Sequence, residues 1–290
     1  MNRVLLTGAT GNVGEEVLRH LYTYSNKCEI VAGVRDVNRA KSKLAILESI
    51  AFRKFDFEDS ATFVSAFQEI DILFLLRPPH ISEVEKYFKP LLEAAKKAGI
   101  NKIVFLSVQG AEKSKVIPHN KIERLIQSLD FEYIFVRPSY FMQNLTTSLI
   151  SEIQEKRTIT LPSGKAKFNW IDVKDIGKAT AVLLSSFDSH RNLAYEITGS
   201  ENLDFYQASE LISKEIGSEI NFKSINPIRF YFKKKKEGIE SAFAIVMTIL
   251  HFLPRLQKEP EISDNFKKLT GSKPTILKEF VERNRALFLG

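Results

Sequence analysis

A strand-to-helix turn built on three glycines opens the sequence, and it constrains the fold more than any other feature. Val4, Leu5 and Leu6 make a short apolar run; Thr7-Gly8-Ala9-Thr10-Gly11-Asn12-Val13-Gly14 follows, and Val17, Leu18 and Leu21 then recur at helical spacing. The glycine spacing is G-x-x-G-x-x-G. A strand that turns abruptly into a helix needs a residue free of Cβ restrictions at the turn. A second glycine lets the backbone approach a pyrophosphate, and a third lets the helix pack closely on the strand. The helix N-terminus then presents free N–H groups and a partial positive charge to an anion. A glycine triplet alone would also suit an ordinary turn. Its place after the first strand and at the opening of a helix is the context that marks a dinucleotide-binding loop. Gly8, Ala9, Thr10, Gly11, Asn12, Val13 and Gly14 are therefore the first cofactor-binding candidates.

The rest of the first half continues the same alternation. Ile30–Val34, Ala51–Phe55, Ile72–Leu76, Ile103–Leu106 and Tyr133–Val136 read as strands. Arg39–Leu47, Ala61–Phe67, Val84–Ala98 and His119–Leu129 read as the helices between them, with Gly99 closing the long one. The strands are continuous apolar runs, as expected of a parallel sheet covered on both faces. The expected fold is α/β: a Rossmann-type doubly wound parallel sheet with a smaller, mostly helical C-terminal substrate domain. The domain boundaries follow as 1–155 for dinucleotide binding and 156–290 for the substrate side. Segments within about 165–200, including Ile176–Leu184 and Tyr195–Ile197, are expected to return to the sheet. Thr158–Leu161 reads as a further strand and Tyr206–Ile216 as a helix.

The charge pattern after the second strand bears on the identity of the dinucleotide. Readers of NAD place an acidic residue about 20 positions after the loop, where it accepts from the ribose 2′-OH. Here the strand ends in Arg35, with Arg39 and Lys41 close by. A guanidinium there suits a 2′-phosphate, which it can bind through two parallel hydrogen bonds. Asp36 is the competing NAD reader, but it precedes a helix and fits an N-cap. NADP(H) is the preferred cofactor, and NAD(H) is the alternative.

With these residues in view, the chain resembles the NmrA-like group of extended short-chain dehydrogenases over nearly its whole length. Arg137-Pro138-Ser139-Tyr140-Phe141-Met142-Gln143-Asn144 is similar to the group's R-P-x-x-F-x-x-N segment. Trp170-Ile171-Asp172-Val173-Lys174-Asp175-Ile176-Gly177 is similar to its W-x-D-V-x-D-I-G, and Tyr195-Glu196-Ile197-Thr198-Gly199 resembles its later strand-and-glycine element. The resemblance implies that Asp56 and Phe57 flank the adenine. It also implies that Leu76, Arg77, Pro78 and Pro79 lie along the nicotinamide half, and that Phe141 to Asn144 close over it. Asp172 and Asp175 are expected to cap and tie rather than to react.

Typical short-chain dehydrogenases use a Tyr-x-x-x-Lys pair, the tyrosine as acid–base group and the lysine to lower its pKa. Counting back from Arg137-Pro138, the lysine position falls on His119 and the tyrosine position on Lys115. The resemblance tolerates a missing tyrosine, because the NmrA-like group often lacks it. The catalytic candidates are then His119 as proton donor or ribose ligand, Lys121, and Ser107 just past the fifth strand. Each also has an ordinary structural reading: a helix-start histidine, a solvated lysine, and a loop hydroxyl bonded to its own backbone.

Composition excludes several other classes. Apolar residues are 44% of the 290 and charged residues 27%, as in a folded globular chain. The net charge of +7 is scattered apart from Lys233–Lys236, so no clustered patch calls for nucleic acid as partner. Five histidines and one cysteine show no metal-ligand spacing. The single Cys28 permits no internal disulfide, and no apolar run reaches transmembrane length, so the expected location is cytoplasmic. The apolar stretch Ala242–Leu253 after Lys233–Lys236 reads either as a core helix beside a solvated charge run or as the roof of a pocket for an apolar or aromatic small molecule. A surface patch for a partner or an anionic membrane is a third reading. The functional expectation is an NADPH-dependent reductase of quinone-like or other conjugated acceptors. The alternatives are a non-catalytic NADP(H) sensor acting on a protein partner and, more weakly, a nucleotide-sugar epimerase-like enzyme. Removing Arg35 separates the cofactor readings. Arg35→Ala is expected to weaken NADPH binding about tenfold or more, the value of a charge-assisted hydrogen bond, while NADH affinity changes little. Equal losses for both in fluorescence titrations would exclude the 2′-phosphate role.

Overall fold

The computed structural model describes residues 1–24, 27–44, 50–115 and 117–290. Residues 45–47, which end the helix expected over Arg39–Leu47, lie outside the described residues. The chain divides into two compact units: the first is 1–138 with 173–197 and 265–272, the second 139–172 with 198–264 and 273–290.

The first unit is built on strands β1 (Asn2–Thr7), β2 (Cys28–Val34), β3 (Ala51–Lys54), β4 (Ile72–Leu76), β5 (Lys102–Leu106) and β6 (Glu132–Pro138). The chain then forms β7 (Tyr140–Phe141), β8 (Thr158–Leu161) and β9 (Phe168–Ile171) of the second unit, and returns with β10 (Leu193–Ile197). The sheet is seven-stranded and wholly parallel, in the order β10-β6-β5-β4-β1-β2-β3. Strand order reverses between β1 and β4. That is the switch point where doubly wound sheets bind ligands outside the strand C-termini.

Helices α1 (Asn12–Tyr22), α2 (Val37–Lys43), α3 (Phe63–Ala66), α4 (Lys89–Lys97) and α5 (Pro118–Ser128) connect the strands. On one face Leu5, Val31, Leu73 and Ile103 pack with Phe55, Phe63, Phe67, Phe88, Leu91 and Leu92 in one buried cluster. The helix expected over Val84–Ala98 is divided. Val84–Phe88 forms a π-helical turn, and the α-helix begins at Lys89. Pro90 is the cause, because it donates no hydrogen bond to the preceding turn and its ring crowds that turn's carbonyl.

After α6 (Ile150–Lys156) in the second unit, helix α7 (Val173–Ser185) packs with α1 in the first. Their approach is set by Gly177, where a Cβ would stand 2.6 Å from the Glu16 carbonyl carbon.

The second unit holds a three-stranded sheet, β11 (Asn202–Leu203), β9 and β7, and a parallel pair of β12 (Asn221–Ser224) with β8. Helices Phe205–Ile216, Pro227–Lys236, Ser241–Phe252, Leu277–Arg283 and Arg285–Leu289 complete it. Trp170, Phe205, Phe230, Phe280 and Phe288 lie in its core. Among the described residues no helix is long and apolar enough to cross a membrane.

The three loop glycines are unequal in space. A Cβ on Gly14 would stand 2.1 Å from the Gly8 carbonyl oxygen, whereas one on Gly11 would meet that oxygen at 3.3 Å. Gly14→Ala is therefore expected to cost about 1–3 kcal/mol or more through overpacking. Gly11→Ala should cost less. Urea denaturation of the two variants measures the difference.

Candidate functional site

The site begins at the C-terminal ends of β1 and β4. Gly8 adopts φ +66°, the left-handed conformation that L side chains rarely take, and a Cβ there would lie 3.2 Å from Leu76 Cδ2. The loop closes with the Gly11 N–H donating to the Gly8 carbonyl at 2.9 Å. Gly11 caps α1 with extended backbone and carries no side chain to take the first-turn amides. The N–H groups of Asn12, Val13 and Gly14 have no intrahelical acceptor, which makes this end of an 11-residue helix an anion-accepting cradle. Thr7 ties the two strands together at this point. Its hydroxyl donates to the Phe74 carbonyl at 3.0 Å and accepts from the Leu76 N–H at 2.9 Å.

Basic side chains gather beside the cradle. Arg35 and Arg39 are exposed at the end of β2 and on α2. Asp36 caps α2 by accepting from the Arg39 N–H at 2.9 Å, so part of its carboxylate is engaged. Lys43, which spacing alone did not single out, donates to the Thr10 carbonyl at 2.7 Å and pairs with Glu15 at 2.8 Å. The only signal for it was a further basic residue on α2.

Asp56 is half-buried and forms a tight turn, accepting from the Glu58 N–H at 3.0 Å. Phe57 sends its ring into the core, 5.0 Å from Phe55 and 5.6 Å from Phe88 between centroids. Its backbone, not its ring, stands at the strand end.

Arg77, directly after β4, curls back on its own loop. Nη1 donates to the carbonyls of Pro78, Pro79 and Ile81 at 3.0, 3.2 and 2.7 Å, and Nε lies 3.4 Å from His119 Nε2. Burial lowers the guanidinium pKa to about 10. His119 is pushed down to about 3, first by burial and then by the Arg77 charge. The imidazole is neutral at physiological pH, with Nε2 as acceptor and the proton on Nδ1. Ser107 is buried at the end of β5, its N–H bonded to the Val136 carbonyl at 2.7 Å and its hydroxyl without a partner. Lys121 is exposed on α5. The sequence does contain one Tyr-x-x-x-Lys spacing, Tyr231 and Lys235, but it falls on a helix of the second unit.

A network the sequence did not reveal fixes α5 against β6. Arg137 is held by both carboxylate oxygens of the buried Glu123, at 3.0 and 2.7 Å, and by Glu112 at 2.7 Å. These acids hold the Arg137 pKa above the ordinary value against the opposing effect of burial. Gln109 donates to Glu196 at 2.9 Å nearby.

In the second unit, Phe141 pairs with Ile171 across β7 and β9, and Asn144 is half-buried in a 3₁₀ turn. Asp172 is fully buried, accepts from Gln143 at 2.7 Å and pairs with Arg283, a tying role. The Tyr140 hydroxyl is 2.8 Å from His251 Nε2, whose Nδ1 is 2.7 Å from the Met247 carbonyl. The carbonyl requires a proton on Nδ1, so Tyr140 donates to Nε2. Burial pushes His251 down to about 4 and raises Tyr140. Lys233 pairs with Glu152 and Lys234 with Glu237, while Lys235 and Lys236 are exposed. Helix Ser241–Phe252 buries Ala244, Met247 and His251 and exposes Ile245, Val246, Ile249 and Leu250. Among the described residues no cluster of three or more His, Cys, Asp or Glu could hold a metal ion.

A doubly wound parallel sheet with an open helix end at its switch point defines an extended α/β dinucleotide-binding fold. The chain belongs to the NmrA-like family, whose model matches residues 1–281. Prestalk A differentiation protein A of Dictyostelium discoideum is 30% identical over 281 residues, covering 96% of this chain and 91% of that protein. The NAD(P)H azoreductase of Xenophilus azovorans is 27% identical, covering 98% and 99%. Among solved structures, the NADPH-dependent quinone oxidoreductase of Escherichia coli complexed with NADPH superposes with a TM-score of 0.83 at 23% identity, covering 97% of this chain and 99% of that one.

His119 and the buried His251 both bind a proton more weakly in the fold than near 6.5, the ordinary value. The unfolded chain therefore binds more protons below that pH, and stability falls as pH drops from about 6.5 toward 4. His119→Gln cannot take a proton and keeps an acceptor for Arg77. It is expected to make the fall in urea midpoint shallower over that window.

Proposed function

We propose that the chain is an NADPH-dependent reductase of quinone-like, azo or similar conjugated aromatic acceptors. The observation that carries this reading is the cradle at the switch point: three unaccepted α1 amides and a Gly14 whose Cβ would collide with the loop carbonyl at 2.1 Å. The donor set fits a dinucleotide. The amides of Asn12, Val13 and Gly14 suit the pyrophosphate. Arg35 and Arg39 are exposed for a 2′-phosphate, with Asp36 engaged as a helix cap. Leu76, Arg77 and Pro78 follow β4 along the other half.

When bound, the reduced nicotinamide supplies a hydride. The protein's part is to bind, orient and exclude water. His119 is neutral and has its Nε2 within reach of Arg77, so it is a weak acid at neutral pH. Conjugated acceptors suit such a site because water can protonate them after reduction. The azoreductase and quinone oxidoreductase activities of the relatives support this acceptor class.

The test is NADPH oxidation followed spectrophotometrically with a panel of benzoquinones, naphthoquinones and azo dyes. Turnover with at least one class is expected, with NADPH preferred over NADH. Tight NADPH binding without turnover of any acceptor would sink the reductase reading in favour of a sensor that acts through a protein partner.

A further inference from the structure

We propose that Arg77 supplies the positive charge that stabilises the anion formed when the acceptor is reduced, a role that rests on the reductase reading above. Leu76 and Leu106 are register partners at the ends of β4 and β5, so Arg77 and Ser107 each stand one step beyond a paired strand end, beside the switch point. The four acceptors around Arg77 are three backbone carbonyls and a neutral imidazole nitrogen. Among the described residues no carboxylate pairs with it. Among the described residues its Nη2 meets no hydrogen-bond acceptor.

The contrast with Arg137 is informative. That guanidinium, also largely withdrawn from water, is neutralised by Glu123 and Glu112. Arg77 remains charged at neutral pH with a pKa of about 10. A cation taken out of water without a counterion is unfavourable, and it becomes favourable when an anion arrives. The local field agrees. The N-terminus of the 11-residue α5 adds partial positive charge, and the buried Ser107 hydroxyl offers a donor that has no partner.

The α1 amides and the exposed Arg35 and Arg39 suit the cofactor phosphates. When a quinone accepts a hydride at one carbonyl oxygen, an O–H bond forms there, that carbonyl's π pair passes into the ring, and the π pair of the opposite C=O bond moves onto its oxygen. That oxygen carries one negative charge as a phenolate until water protonates it. Charge that develops during the reaction is where a fixed, uncompensated cation contributes most to rate.

The test uses 4-nitrophenol, whose phenolate is yellow, titrated against pH with the full-length protein saturated with NADP⁺. The bound phenol is expected to ionise about one pH unit or more below the free phenol. Arg77→Met, with NADP⁺ raised until the variant is saturated, should abolish that shift, and Arg77→Lys should keep most of it. Should Arg77→Met fail to fold, Arg77→Gln keeps N–H donors for the loop carbonyls without the charge and reads the same quantity. A wild-type protein that does not bind the phenol, or leaves its ionisation as in water, overturns the assignment. So does a shift that survives Arg77→Met or Arg77→Gln at saturating NADP⁺. Failure of the reductase reading shows separately, as absence of quinone turnover by the wild-type protein.

Discussion

The approach of Gly14 to the Gly8 carbonyl is the contact on which the first unit depends. A methyl group there would stand 2.1 Å from a backbone oxygen, so α1 can enter the loop only as glycine. Two residues later α1 is met from another side by Gly177 of α7, with a hypothetical Cβ 2.6 Å from the Glu16 backbone. Thr7 then locks β1 to β4 through two hydrogen bonds of one hydroxyl. The helix is thereby held with its unaccepted amides at the point where strand order reverses. An anion-accepting helix end is common; holding it at a crevice between strand ends is what turns it into a site.

Charge is handled differently around that site and away from it. Arg137 is matched by two acids, and the fully buried Asp172 by Arg283 and Gln143. These pairings are positional: one sets α5 against β6, the other ties together segments of the second unit. His119 and His251 are kept neutral chiefly by burial. Arg77 differs from Arg137 in being solvated by carbonyls rather than paired. Membership of the NmrA-like family and the likeness to a solved structure complexed with NADPH accord with the dinucleotide-binding fold.

Much of this is legible in the sequence. The strands of the sheet appear as apolar runs because a parallel sheet buries both faces, and observed and expected limits differ by only a residue or two at β1, β2, β5 and β6. The Asp36 cap was legible because a cap is local. What escaped was short or contingent. β9 has only four residues, too few to show a period, and β7 only two. The π-helical turn before Pro90 was hidden by a helical apolar pattern that continues through it. Ser107 and His119 were recognisable as candidates, but the missing partner of one hydroxyl and the neutral state of one imidazole were not.

The sequence by itself determined the alternating α/β plan, the glycine cradle and the basic residues after the second strand, because each rests on neighbours within one turn or one strand. Only the tertiary structure decided which polar groups are matched. Lys43 meets the loop from 33 residues away, and Thr7 meets Leu76 across 69. Arg77 finds carbonyls where Arg137 finds carboxylates. Burial and counterion are properties of the assembled packing, so the same residue type became a tie in one place and an open charge in another. The glycine loop accordingly says what is held, and the packing decides which charges stand unmatched beside it.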